Sequence, residues 1–162
     1  MTIAVGDKLP SAKLLRQIGT EVSQIDLSEY AQGKRLVVFG LPGAYTSTCS
    51  AAHLPSFIRT AQAFRDKGID DLICVSVNDV RVMENWGRTS GAEDAGIIML
   101  ADWDSEFAKA TGLAFSAPAI GFKDRLTRCS MLVENGEVKI LELENEKGVC
   151  DLTAGETLLD QI

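Results

Sequence analysis

Two rhythms alternate along the middle of the chain. "RLVVFGLPG" (residues 35–43) is a short apolar, β-branched run closed by Gly and Pro, which reads as a buried strand. From residue 48 to 67 the spacing turns helical, with Ala52, Phe57, Ala61 and Phe64 on one stripe and Gly68 as the stop. Pro55 lies inside that stretch and predicts a kink. "DLICVSVND" (71–79) reads as a second buried strand, and 79–91 as a helix with Asp79 as its N-cap. "IIMLAD" (97–102) gives a third strand, followed by a short helix in "DSEFAKATG". Residues 128–144 read as two strands joined at Asn135-Gly136, a strong hairpin signal. "TAGETLLDQI" closes with a helix.

The order is therefore β-α-β-α-β-α, then a hairpin, then α. Alternation of this kind implies parallel strands with right-handed crossovers, and the late hairpin adds antiparallel strands to the same sheet. The expected class is α/β: a thioredoxin-like fold, with a mixed central sheet and helices on both faces. No repeat, low-complexity tract or linker interrupts the chain, so residues 1–162 read as one domain.

Composition narrows the function more than the fold. Hydrophobic residues make up 46% and charged residues 24% of the 162, the balance of a globular chain rather than a disordered one. A formal charge of −7, with no long Lys/Arg block, argues against nucleic-acid or anionic-membrane partners. The opening "MTIAVGDKLPSAKLL" has no basic stretch followed by an apolar one, so no secretory signal is expected, and no apolar run nears a membrane span. Four cysteines, Cys49, Cys74, Cys129 and Cys150, form no C-x-x-C pair. With a single histidine beside them, a zinc site is disfavoured and neither metal nor cofactor is expected. Free thiols in a reducing compartment point to the cytoplasm.

The candidate chemistry lies in "GLPGAYTSTCSAAHLP", residues 40–55. Cys49 falls in the first turn of a helix that follows a buried strand, where unpaired N–H groups and the helix dipole favour a thiolate. Pro42 and Gly43 shape the turn. Thr46 and Thr48 offer hydroxyls either to cap the helix or to donate to an oxygen near the sulfur. A buried, inert cysteine fits the same position, and position alone leaves both readings open.

The segment "PGAYTSTC" fits Pro-x-x-x-Thr-x-x-Cys and resembles the active-site signature of the peroxiredoxins. The wider "GLPGAYTSTCSAAHLPSF", together with "CVSVND", "ENWGR" and "RCSMLVENG", is similar to the type II, or peroxiredoxin-5, subfamily, from "VGDKLP" to the end of the chain. The resemblance implies that Cys49 is the peroxidatic cysteine, oxidised by a peroxide to a sulfenic acid. It further implies that Thr46 hydrogen-bonds peroxide and thiolate, that Pro42 shields the sulfur, and that Arg128 is the cation that stabilises it. Two departures stand out: Ser47-Thr48 where many relatives have Pro-Gly, and Tyr45 where Phe is usual.

Cys74, in a continuous apolar run, reads as core, or by the resemblance to plant-type members as a resolving cysteine. Cys150 resembles the C-terminal resolving cysteine of the animal type, about two residues early; a one-cysteine route is also open. A Cys49–Cys74 disulfide is preferred over Cys49–Cys150. Cys129 follows Arg128 on a strand, points to the opposite face and reads as core. His53, one turn after Cys49, suggests a Cys-His pair that the family signature does not require. Trp86 and Trp103 read as core or interface residues. The function implied is a thiol-dependent peroxidase for hydrogen peroxide and small alkyl hydroperoxides. Glutaredoxin/glutathione or thioredoxin would be the reductant, and the form a homodimer joined near the active-site turn. A thiol–disulfide oxidoreductase and a non-enzymatic redox sensor on the same fold are the alternatives.

Overall fold

A computed structural model describes residues 1–146 and 148–162. The sheet is built on β3 (Arg35–Leu41), whose last six residues are all buried. It is paired in parallel with β4 (Asp71–Ser76), which is paired in parallel with β5 (Ile98–Ala101). On its other edge β3 runs antiparallel to β8 (Cys129–Glu134), itself antiparallel to β9 (Glu137–Leu143). Asn135 and Gly136 form the hairpin loop with φ values of 49° and 77°, both left-handed, as a two-residue turn of this kind requires.

Two further strands, β1 (Lys13–Ile18) and β2 (Glu21–Asp26), complete a seven-stranded mixed sheet in the order β2-β1-β5-β4-β3-β8-β9. The pattern along the sequence did not reveal this hairpin, because its outer strand is mostly exposed and lacks an apolar face. Nor did it reveal β6 (Ala114–Ala117) and β7 (Phe122–Leu126), a separate two-stranded sheet around a tight turn at Pro118–Ile120.

The alternation of β3 divides the core. Val37, Phe39 and Leu41 face α2 (Leu54–Asp66), α3 (Val80–Ser90) and α5 (Gly155–Leu159), packing with Phe57, Phe64, Met83, Trp86 and Leu158. Leu36 and Val38 face α1 (Leu27–Tyr30) and α4 (Glu106–Ala110), with Leu27, Phe107 and Leu126. Helices thus cover both faces, as the alternation predicted. Phe39 stacks on Phe57 at 3.9 Å between ring centroids, which anchors α2 to the central strand. Deleting either ring would cost about 3–5 kcal/mol.

The predicted N-cap is present: Asp79 Oδ1 accepts from the backbone N–H groups of Arg81 and Val82 at 2.7 and 2.9 Å. The kink expected at Pro55 takes a different form. Before α2 the chain makes a π-helical turn, Cys49–His53, in which the Leu54 N–H reaches back five residues to the Cys49 carbonyl. Pro55 stands in the first turn of α2 and has no N–H to give. The wider turn carries its ring clear of the carbonyl with which it would collide in a regular helix. Trp86 is buried, as expected, but Trp103 is 56% exposed in the loop after β5 rather than in the core.

Candidate active site

The strand-to-helix turn after β3 is held from outside itself. The Ala44 N–H donates to Asn78 Oδ1 at 2.9 Å, and the same oxygen accepts from the Ser76 hydroxyl at 2.7 Å. Arg125, on β7, donates from Nη1 to the carbonyls of Val77 at 2.9 Å and Pro42 at 3.3 Å, with its guanidinium 5.0 Å from the Phe122 ring. These bonds tie the turn to the ends of β4 and β7. Tyr45 adopts a left-handed φ of 63° and sends its hydroxyl to Asn85 on α3, with Thr89 Oγ1 at 3.4 Å. The hydroxyl that distinguishes it from Phe therefore has a partner.

Neither threonine caps the helix. Thr46 Oγ1 donates to the Gly43 carbonyl at 2.8 Å, inside the turn. Thr48 Oγ1 donates to the Gly148 carbonyl at 2.9 Å, across to the C-terminal segment. Both hydroxyls are drawn away from the helix start by nearer carbonyls, and the residue before the π turn makes no side-chain capping bond.

Cys49 has no exposed surface. Arg128, 6% exposed at the head of β8, donates from Nη2 to Cys49 Sγ at 3.2 Å. Its Nη1 lies 3.0 Å from His53 Nδ1. Arginine has only N–H donors, so Nδ1 must accept and the ring hydrogen must sit on Nε2, which lies 3.1 Å from the Thr153 carbonyl. Burial first, and the Arg128 charge second, push the His53 pKa down to about 3. The imidazole is neutral, and both nitrogens are committed away from the sulfur. The Cys-His pair suggested by their spacing does not form: the ring addresses the arginine instead. Among the described residues Arg128 forms no ion pair with a carboxylate.

Pro42, Thr46, Thr127 and Arg128 line a cavity of about 410 Å³, together with the apolar Phe115, Ala117, Ile120 and Phe122 and the polar Glu144, Asn145 and Glu146. Four residues singled out in the sequence, Pro42, Thr46, Cys49 and Arg128, thus come together around or directly behind one opening.

The remaining cysteines are placed differently, and all four are free thiols. Cys74 is fully buried in mid-strand, opposite Phe39 on one side and Met99 on the other. Burial pushes its pKa well up. Cys129 is buried on the other face of the sheet, as the alternation with Arg128 predicted, and burial raises its pKa to about 12. Cys150 is partly exposed, with Sγ 3.7 Å from Thr153 Oγ1. Arg125, Asn78, Glu144 and Thr153 were not singled out in the sequence. Asn78 lies within the quoted "CVSVND", and a polar residue just past an apolar strand was the available signal.

The chain matches the Redoxin family over residues 4–159. It is 40% identical over 162 residues to the chloroplastic peroxiredoxin-2E-2 of Oryza sativa subsp. japonica, covering 98% of this chain and 72% of that protein. It is 40% identical over 145 residues to the mitochondrial peroxiredoxin-2F of Arabidopsis thaliana, covering 90% and 72%. The crystal structure of reduced Prx3 from Vibrio vulnificus in complex with H2O2 superposes with a TM-score of 0.92 at 38% identity, over 99% of each chain.

Proposed function

The chain belongs to the peroxiredoxins, thiol-dependent peroxidases with a thioredoxin-like fold, and on that premise we propose that Cys49 is the peroxidatic cysteine, served by Arg128, Thr46 and Pro42. The observation that carries this reading is the Arg128 Nη2 to Cys49 Sγ contact at 3.2 Å, made by a buried cation that no described carboxylate neutralises. An uncompensated guanidinium beside a sulfur stabilises the thiolate over the thiol, and stabilises the charge that develops as the peroxide bond breaks.

The thiolate attacks one oxygen of R–O–O–H. An S–O bond forms, the O–O bond breaks, and R–O⁻ leaves and takes up a proton, so that sulfur is oxidised to sulfenic acid and the peroxide is reduced to an alcohol or water. The Thr46 hydroxyl proton is engaged with the Gly43 carbonyl, so its oxygen is left to accept from the peroxide O–H. Pro42 closes the turn beside the sulfur without offering a donor. The apolar lining of the cavity, with Phe115, Ile120 and Phe122, suits small alkyl hydroperoxides as well as hydrogen peroxide, the molecule in the Vibrio vulnificus structure.

A thiol then attacks the sulfenic sulfur, forming a disulfide and releasing water. The preference for Cys74 from the sequence weakens on structural grounds. Cys74 sits between two parallel neighbours, and moving it would break ladder bonds on both sides. Cys150 is partly exposed, and its segment touches the Cys49 turn through the Thr48–Gly148 bond. Both features favour Cys150, with glutathione, glutaredoxin or thioredoxin returning the enzyme to its thiol form. Homodimerisation near Tyr45 and Ile120, which are 53% and 67% exposed, and a cytoplasmic location complete the proposal. Sedimentation velocity showing monomer in both redox states would remove the dimer, and fractionation into another compartment would remove the location.

Mass spectrometry after one equivalent of peroxide is the decisive experiment. The expected products are a Cys49 sulfenate and then a Cys49–Cys150 disulfide, both absent from Cys49→Ser. Wild-type peroxide consumption by Cys49→Ser would end the assignment. A Cys49–Cys74 bond, or a glutathione adduct alone, would change only the resolving step.

A further inference from the structure

We propose that His53 is a positioning residue for the peroxidase reaction: a neutral imidazole, oriented by the Thr153 carbonyl, aims the Arg128 guanidinium at Cys49 without cancelling its charge. The inference rests on the reading of Cys49 as the attacking sulfur.

Arginine ends a long side chain with many rotamers, and one contact to a sulfur does not fix the plane of its guanidinium. Here two amino groups are fixed at once, Nη2 at 3.2 Å from Cys49 Sγ and Nη1 at 3.0 Å from His53 Nδ1. A carboxylate in the place of His53 would hold the plane equally well, but its negative charge would offset the cation beside the sulfur, at short range and away from water. A neutral acceptor supplies the orientation alone.

The ring is itself immobilised. It lies edge-on to Phe39 at 5.4 Å and tilted against Phe57 at 5.6 Å. Its Nε2–H meets the Thr153 carbonyl at 3.1 Å. Thr153 is held by Glu144, whose Oε2 accepts from the Thr153 hydroxyl at 2.9 Å and N–H at 3.3 Å. Below the ring, the Ser56 hydroxyl donates to the His53 carbonyl at 2.6 Å and accepts from the Gly155 N–H at 2.8 Å, so the same helix that carries His53 also anchors the Thr153 segment. The low proton affinity of the ring fits this role, since an imidazolium could not accept from Arg128.

Single-turnover reaction with hydrogen peroxide, followed across pH, tests the inference. His53→Leu removes the acceptor and nearly preserves the bulk; it should slow the reaction about tenfold at neutral pH, the scale of one hydrogen bond to a charged group, and displace the pH profile upward. His53→Asn retains an oxygen in the place of Nδ1 and should recover most of the rate. Added to Arg128→Met, His53→Leu should cost nothing more. A wild-type rate and an unmoved profile in His53→Leu, or a loss that adds in full to that of Arg128→Met, overturns the role. The chain's only histidine also permits a test that needs no variant. Nitrogen NMR should show the Nε2–H tautomer throughout the range in which a free histidine titrates. An Nδ1–H tautomer, or an imidazolium at neutral pH, would equally overturn it. Cys49→Ser is the separate control: residual peroxidase activity there would fault the assignment of Cys49 and not the placement of His53.

Discussion

Two segments converge on the Arg128–His53 pair, and they are made in opposite ways. Residues 42–54 take their shape from local signals, a strand end, a tight turn and a wide helical turn set by Pro42, Gly43 and Pro55, and Asn78 and Arg125 only clamp that turn from outside. Among its described residues, the segment from Glu144 to Gly155 has no helix or strand before α5. It is held by contacts across the chain: Thr48 to Gly148, His53 to Thr153, Ser56 to Gly155. The first segment supplies Cys49, the sulfur proposed to react, and the second supplies the frame. A local motif can therefore be intact while the geometry it needs depends on a distant stretch.

Breaking the meeting point should have the largest effect. Arg128→Met should slow reaction with peroxide about a hundredfold, because it withdraws a charge-stabilising donor from the sulfur proposed to react. Stopped-flow rates measure this; unchanged values would remove Arg128 from the site.

Gly155→Ala separates the frame from Cys49. A Cβ there would lie 2.6 Å from the Ser56 carbonyl oxygen and 2.6 Å from Thr60 Oγ1. Backbone cannot yield cheaply, so a loss of roughly 1–3 kcal/mol in urea unfolding is expected. Peroxide reaction should slow less than in Arg128→Met. A wild-type midpoint would mean that α5 is not held as closely as described.

Acid should weaken the same junction. In the unfolded chain His53 takes a proton near its ordinary value of 6.5, whereas in the folded chain it does so only at about 3. Over that interval the unfolded state binds more protons, so stability is full above about pH 6.5 and falls as pH drops, by up to about 1.4 kcal/mol per unit. Between pH 6.5 and the carboxylate range the slope belongs to this histidine, and His53→Asn should flatten it. A wild-type protein with no slope there would contradict a buried neutral ring.

The smallest effect is expected at Thr48. Thr48→Ala removes one bond to the Gly148 carbonyl, worth about 1 kcal/mol. The first oxidation should keep its rate, while disulfide formation after it accelerates as the two segments part more easily. Equal rates of disulfide formation would show that this bond does not restrain the opening.

The same contrast explains what the sequence disclosed. The strand of residues 35–41, the helix after it and the Asn135-Gly136 hairpin were legible because period and turn chemistry are local. The placement of Pro42, Thr46 and Cys49 at a strand-to-helix turn was legible for the same reason, whereas the roles proposed for them came through family resemblance. Arg128 came only through family resemblance, since 79 positions separate it from Cys49 and no spacing rule spans that distance. Thr153, 100 positions from His53, contributes a backbone carbonyl, for which residue identity gives no signal. Arg125 also acts through backbone carbonyls, at Pro42 and Val77. The β1–β2 hairpin stayed hidden because β2 is too exposed to carry an apolar alternation.

The complete enclosure of Cys49 sets an order on the catalytic cycle. On the reading of Cys49 as the attacking sulfur, a peroxide has only the short step from the cavity past Arg128 to make, and oxidation should quicken with peroxide concentration. A thiol carried on a larger body, Cys150 or an external donor, has no such path. It must wait for the turn to lift, and its step should level off at the frequency of that lifting. The proposed cycle would thus run on two clocks, one kept by its substrate and the other by its own fold.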